Sequence, residues 1–226
     1  MPAKQETLFH LETSWTTGLM HRKGGDWAPN ESVRPFLEMM CIQWGTNYVY
    51  RQVHSLDDLE AWSKAIALAH KSTRRFIWLS GHGGGEKAFR FNRGTKASEC
   101  GEDEIFRAIF AAGRIEGLVV DSCGFGRRIE TLGRIPGNAQ WVLATVKDVD
   151  FMDSSFVFAK SIYWIAEESP SNFYRGFENG MQTDHEKKKS QVNFQKVVET
   201  MGVRLYFIDD KNLRWIPKER TSSAHP

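Results

Sequence analysis

Three short stretches of this chain are apolar at nearly every position: Phe76-Ile77-Trp78-Leu79, Leu118-Val119-Val120 and the run around Trp141-Val142-Leu143-Ala144. A strand with one face in water alternates apolar and polar residues, whereas a strand apolar on both faces has to be covered from both sides. The segments between these runs carry helical spacing, and strand followed by helix, repeated, gives a mostly parallel sheet with helices on both faces. The expected fold class is therefore α/β, a three-layer sandwich around a mostly parallel six-stranded central sheet. Strands are predicted over 8–15, 48–53, 75–79, 118–120, 139–146 and 203–208, with a short hairpin arm at Phe89-Arg90-Phe91. Helices are predicted over 32–44, 55–69, 102–112, 156–168 and 190–201.

Local signals support several of these elements. Pro35 sits in a first helical turn, where its missing N–H costs little. Ser55 is an N-cap followed by Asp57 and Asp58, and Leu59, Trp62, Ile66 and Ala69 continue an apolar stripe behind it. Gly113 stops the helix that Asp103 and Glu104 open. The length fits one domain over 1–226 with a flexible tail from about 219, and the Asp184 to Lys189 run is expected to be a solvated loop.

Lys and Arg total 30 against 28 Asp and Glu. That balance gives no reason to invoke nucleic acid or an anionic membrane as partner. Three cysteines without CxxC spacing disfavour a disulfide framework and a structural zinc, so no metal or cofactor is expected and a reducing compartment fits best. The first residues lack a signal-peptide core and no apolar run is long enough to cross a bilayer, so the expected location is cytoplasmic.

The reactive residues sit where two of the buried runs end. Ser80-Gly81-His82-Gly83 follows one, and Asp121-Ser122-Cys123-Gly124 follows the other. Ligands of such sheets bind outside the carboxyl ends of the strands. A free thiol is mostly protonated at neutral pH, and a neighbouring imidazole makes it a nucleophile. His82 and Cys123 are accordingly the candidate catalytic pair. Gly83 has no Cβ to obstruct a peptide carbonyl, so the N–H groups of Gly83 and Cys123 are the candidate oxyanion hole. By the period of two, Asp121 projects to the same side as Cys123. A carboxylate beside the thiol hinders its ionisation, which leaves two readings: it binds a cationic substrate group, or backbone N–H groups at a helix start satisfy it. His10, His21, His54, His70 and His185 lack strand-end context, Cys41 reads as core and Cys100 as inert.

Other chemistries fit less well. His82-Gly83-Gly84-Gly85 matches the oxyanion loop of lipase-type hydrolases, but Asp121 occupies the glycine position a nucleophile elbow needs. Cys123 meets Ile129 where a cysteine phosphatase needs Arg, and Glu86 stands where a dinucleotide fingerprint needs glycine.

The two strand-end motifs resemble those of the caspase-like cysteine peptidases of the caspase–hemoglobinase fold, most closely metacaspases and prokaryotic caspase homologues including CHAT-type proteins. The resemblance covers roughly residues 75 to 168. It implies a cysteine endopeptidase with a His82–Cys123 dyad, acting on protein or peptide substrates, with Asp121 as acidic floor for an Arg or Lys at P1. Val146-Lys147-Asp148, followed by Asp150 and Ser154-Ser155, is similar to a pocket-walling segment and implies Asp148 as a second acid. The family also implies a role in cell death or defence and activation by self-cleavage or Ca²⁺. Arg90, Arg93, Lys96 and Lys187 to Lys189 are basic residues in expected loops where such cleavage could fall. This chain departs from the pattern in having Gly124-Phe125-Gly126 after the cysteine, and in a short stretch before the next strand that leaves no room for a long processing linker. The alternative is a catalytically silent caspase-like binding or regulatory module.

Overall fold

The computed structural model describes residues 6–13, 32–69, 74–83, 89–93, 96–148, 151–168, 171–186 and 194–217. In chain order the elements are β1 (Glu6–Thr13), α1 (Arg34–Trp44), β2 (Asn47–Val53), α2 (Leu56–Leu68), β3 (Arg74–Ser80), β4 (Phe89–Arg93), β5 (Lys96–Cys100), α3 (Glu102–Phe110), β6 (Ile115–Asp121), α4 (Phe125–Leu132), β7 (Ala139–Thr145), α5 (Phe151–Glu167), α6 (Phe173–Glu186), α7 (Phe194–Met201), β8 (Val203–Asp209) and β9 (Asn212–Ile216).

One sheet holds seven strands in the order β2-β1-β3-β6-β7-β8-β9, and β4 and β5 pair as a separate antiparallel hairpin. The first five strands of that order run parallel, and β8 and β9 are antiparallel to their neighbours. Helices α2, α3 and α4 bury one face of the sheet through Leu59, Ile66, Ile105, Ile109, Phe125 and Ile129. Helices α1, α5, α6 and α7 bury the other through Leu37, Cys41, Phe158, Ile165, Phe177 and Val198. Trp78 and Trp141 are fully buried against that second layer. Removing an indole from water contributes about 4–6 kcal/mol by area, which explains why the apolar runs specify the middle of the sheet so firmly.

Several expectations need correction. The sheet has seven strands rather than six. The extra one, β9, returns from β8 through Asp210 and Lys211, both at positive φ (47° and 66°), without the Asn-Gly or Asp-Gly pair that announces such a turn. The α4 helix was not anticipated, because eight residues containing Gly126 and two arginines show only Phe125, Ile129 and Leu132 on an apolar face. The α6 helix was hidden by Gly176 and Gly180, which weaken helix propensity. Both glycines are required by packing, since a Cβ on either would collide with Trp164 of α5. The α6 helix also takes in Asp184 to Glu186, expected as loop, while Lys187 to Lys189 lie outside the described residues. The α5 helix begins five residues earlier than its periodicity suggests. The first strand ends at Thr13, with Ser14 and Trp15 outside the described residues.

Candidate active site

The sheet order creates the crevice. From β1 the chain passes to α1 on one face, and from β3 it passes to the β4–β5 hairpin and α3 on the other, so the carboxyl ends of β1 and β3 form a topological switch point. His82 follows β3 directly, and Cys123 lies two residues beyond β6, the neighbouring strand.

Backbone contacts hold the two strand ends together. Ser80 is paired with Asp121 in register, and Gly81 N–H donates to Asp121 O at 3.1 Å. Gly81 is wedged so closely that a Cβ there would lie 2.5 Å from Phe89 Cζ and 2.6 Å from Thr13 Oγ1. The β4 strand fixes the next residue, since Arg90 N–H donates to His82 O at 3.0 Å. A Cβ on Gly83 would stand 2.7 Å from Cys123 N, and closer still to Cys123 O and Ser122 Oγ. The backbone of Gly83 thus lies directly against the backbone of Cys123. Arg90 is in this hairpin rather than in a loop, and half-buried; Arg93 and Lys96 are strand residues too. They are poor self-cleavage points.

On the cysteine side, Gly124 takes the left-handed conformation (φ 67°, ψ 6°) as N-cap of α4, a geometry that favours glycine. Its N–H donates to Lys147 O at 3.0 Å, which ties the turn to the segment after β7. Cys123 is half-buried, whereas Cys41 and Cys100 are buried. Burial pushes the Cys41 thiol up to about 12, and Cys100 Sγ contacts Phe89 O at 3.7 Å, so both behave as packing groups. Among the described residues, the buried Ser122 hydroxyl has no hydrogen-bond partner.

One register row across the sheet is polar. Glu12 on β1 pairs with Ser80 on β3, and Ser80 with Asp121 on β6. In-register neighbours face the same way, and all three are buried on the α1 and α5 face. Asp121 Oδ1 accepts from Ser154 Oγ at 2.7 Å and Oδ2 from Ser155 Oγ at 2.6 Å, both on the first turns of α5. Burial raises the Asp121 carboxyl to about 7, against the stabilising effect of these serines, and the negative charge of Glu12 adds to the rise. Glu12 accepts from Ser32 Oγ at 2.7 Å, Tyr50 Oη at 2.9 Å and Val33 N–H at 3.3 Å.

Sequence reasoning missed Glu12. The available signal was an acid at the carboxyl end of the first strand, Leu8-Phe9-His10-Leu11-Glu12, the same placement that singled out Asp121. The satisfaction of Asp121 also differs from the alternative considered, because serine hydroxyls rather than backbone N–H groups supply the hydrogen bonds. Moreover β6 ends at Asp121, so the alternation used to align it with Cys123 stops before Cys123, which lies in the turn leading to α4. His10, set aside as uninformative, is fully buried between Ser80 Oγ at 2.8 Å and Tyr48 Oη at 2.7 Å. Burial holds its imidazole neutral by lowering it to about 3, with Arg34 contributing. It braces β1 and β2 against β3. Asp148 is not brought to Asp121. Its carboxylate is 80% exposed beside Cys123's turn and pairs with Arg127 at 3.6 Å; Asp150 lies outside the described residues. Among the described residues, no group of three or more His, Cys, Asp and Glu side chains is placed to hold a metal ion, and no helix is long and apolar enough to cross a membrane.

No protein-family model and no curated protein matches the sequence. Solved structures do match. A secreted C11 cysteine protease from Bacteroides thetaiotaomicron, solved in complex with an irreversible peptide inhibitor, superposes with a TM-score of 0.54 at 9% sequence identity, over 90% of this chain and 66% of that one. The fold is caspase-like. The chain spans just under two thirds of that protease's length. Caspase-1 from Spodoptera frugiperda is a looser match, with a TM-score of 0.46 at 9% identity over 88% of this chain and 83% of its own.

Proposed function

We propose that this chain is a cysteine endopeptidase in which His82 and Cys123 form the catalytic dyad and the P1 residue is Arg or Lys. The observation that carries the reading is the close approach of Gly83 to Cys123, which joins the two strand-end motifs into one crevice. His82 takes the thiol proton as Cys123 Sγ attacks the scissile carbonyl carbon. The N–H groups of Gly83 and Cys123 donate to the resulting oxyanion. The C–N bond then breaks, the proton held on His82 passes to the leaving amine, and a thioester remains. Water, deprotonated by His82, hydrolyses the thioester and the thiol recovers its proton.

The buried acids supply the specificity. The charge of Glu12, in the same polar row, disfavours ionisation of Asp121, and a guanidinium or ammonium brought to Asp121 relieves it. Asp121 forms the floor of that P1 pocket, Glu12 its second acid, and Asp148 stands at the mouth beside the cysteine turn. Substrates are unfolded or loop segments of proteins, because an extended peptide is needed to reach a crevice at strand ends.

A panel of fluorogenic peptides varied at P1, with Asp121→Asn and Cys123→Ala, tests this. Asn keeps the shape and can still accept a serine hydrogen bond. The expected result is cleavage after Arg and Lys, with kcat/KM for Arg peptides lowered about a hundredfold or more by Asp121→Asn, roughly the 3 kcal/mol of a lost buried charge partner. Alkylation of Cys123 by iodoacetamide should be retained in that variant. A preference for acidic or apolar P1 residues, or an unchanged Asp121→Asn enzyme, would overturn the assignment.

A further inference from the structure

At the opposite end of the sheet from Cys123, the amino-terminal ends of β1 and β3 and the last turns of α1 and α5 enclose a second cavity of about 350 Å³. Its walls are aromatic and aliphatic: Trp44, Phe76, Tyr163, Leu8 and Ile162. The Trp44 and Tyr163 rings lie 5.7 Å apart, tilted by 34°. That size is at the small end of the roughly 300–1,000 Å³ typical of small-molecule sites.

The field inside is negative for independent reasons. Two helix carboxyl termini converge there, and neither α1 nor α5 has a basic residue in its last turn. Each such end carries a partial negative charge. Glu6 and Glu167 also line the cavity, and among the described residues no Lys or Arg does. Behind Glu6, Arg74 is shared between Glu6, at 2.6 Å, and Glu116, and its guanidinium also donates to Ala166 O at 3.1 Å. One guanidinium against two carboxylates leaves that triad with a net charge of minus one, and Glu167 adds another. Lys160 lies over the Tyr163 and Trp164 rings at 5.2 and 5.5 Å and does not line the cavity.

We propose that this cavity binds a small organic cation, an ammonium group carried on an aromatic or aliphatic body. Its charge sits between Glu6, Glu167 and the helix ends. Its body packs against Trp44, Phe76 and Tyr163; Arg74 already lies over the Phe76 ring at 5.5 Å and Lys160 over Tyr163, so Trp44 is the ring that attracts the ligand cation further. The site is separate from the thiol and does not depend on the chain being a peptidase. A neutral apolar molecule would fill the volume but leave Glu167 unanswered, and an anion would meet repulsion from Glu6, Glu167 and the two helix ends.

The test is calorimetric titration of the whole chain with phenethylammonium, 2-phenylethanol and phenylacetate, which share a body and differ in charge. Phenethylammonium should bind one to one and at least about tenfold more tightly than the alcohol, and phenylacetate should not bind. Glu167 is exposed, so Glu167→Gln should fold normally, weaken the ammonium about three- to tenfold and leave the alcohol unchanged. Ala166→Phe, which adds a ring to the cavity wall, should abolish binding while the melting temperature shows the variant folded. No saturable binding of phenethylammonium up to about 10 mM, equal affinity for the alcohol, or indifference to Glu167→Gln would overturn the proposal.

Discussion

Replacing Gly83 by Ala is the sharpest test of how the two strand ends meet. Gly83 is not at positive φ, so the added methyl brings no backbone strain and its whole effect is steric. The new Cβ would stand 2.7 Å from Cys123 N, against an ordinary contact limit of 3.4 Å, so the two peptides must part by roughly 0.7 Å, and by more at Cys123 O. The Ser122 hydroxyl can rotate away, but Cys123 N and O are backbone atoms with no such freedom. Overpacking of this kind costs about 1–3 kcal/mol, which for a domain of this size lowers Tm by roughly 2–12 °C. A displacement approaching 1 Å between base and nucleophile lowers kcat/KM by about a hundredfold. The control is Gly45→Ala, where φ is +66° and no atom lies within 4 Å. It should cost only the left-handed penalty of about 1–2 kcal/mol and leave activity alone. Differential scanning fluorimetry and peptide hydrolysis on the three proteins are the measurements. A Gly83→Ala protein with parental Tm and parental turnover would refute the reasoning, because the two peptides could not then be in contact.

His82→Ala and Cys123→Ala should each abolish peptide hydrolysis, and the double variant should be no worse than either, since a dyad acts as a unit; additive losses in single-turnover assays would contradict this. Asp121 is raised to about 7 in the folded chain, so between about pH 4 and 7 the folded state holds more protons than the unfolded one. Stability should therefore fall as pH rises through that window, and urea titrations should show Asp121→Asn flattening the slope. The same titration should make the ratio of kcat/KM for Arg over citrulline peptides climb with pH around neutrality, because only the ionised carboxylate prefers the cation. Arg74→Met leaves buried Glu116 without its counter-charge and should cost about 3–5 kcal/mol in chemical denaturation, with partial recovery in the Arg74→Met, Glu116→Leu double variant.

Much of the architecture was legible in the residues. Strands apolar on both faces can only be central, and the ends of two of them carry Gly-His-Gly and Asp-Ser-Cys-Gly, so the layer order and the placement of His82 and Cys123 at adjacent strand ends follow from local pattern. Cap chemistry was equally local: Ser55 Oγ accepts from Asp58 N–H at 3.1 Å as its sequence context implies. Elements whose signals depend on distant partners were not legible. The glycines of α6 look like loop residues until Trp164 is packed into them, and β9 has no turn signature because Asp210 and Lys211 adopt positive φ under the pairing of β8 with β9.

The candidate site divides the same way. The sequence by itself determined which residues stand at strand ends, because hydrophobic periodicity and breakers act over a few neighbours. Tertiary structure alone decided which of them share a face and what each touches. Glu12 and Asp121 are 109 positions apart in sequence and become one polar row only through the registers of β1 with β3 and β3 with β6. Ser154 and Ser155 reach Asp121 because α5 crosses that row, and Asp148 is turned to solvent although it is close to them in sequence. Register and helix placement are set by the sum of contacts over the whole core, which no window of the sequence contains.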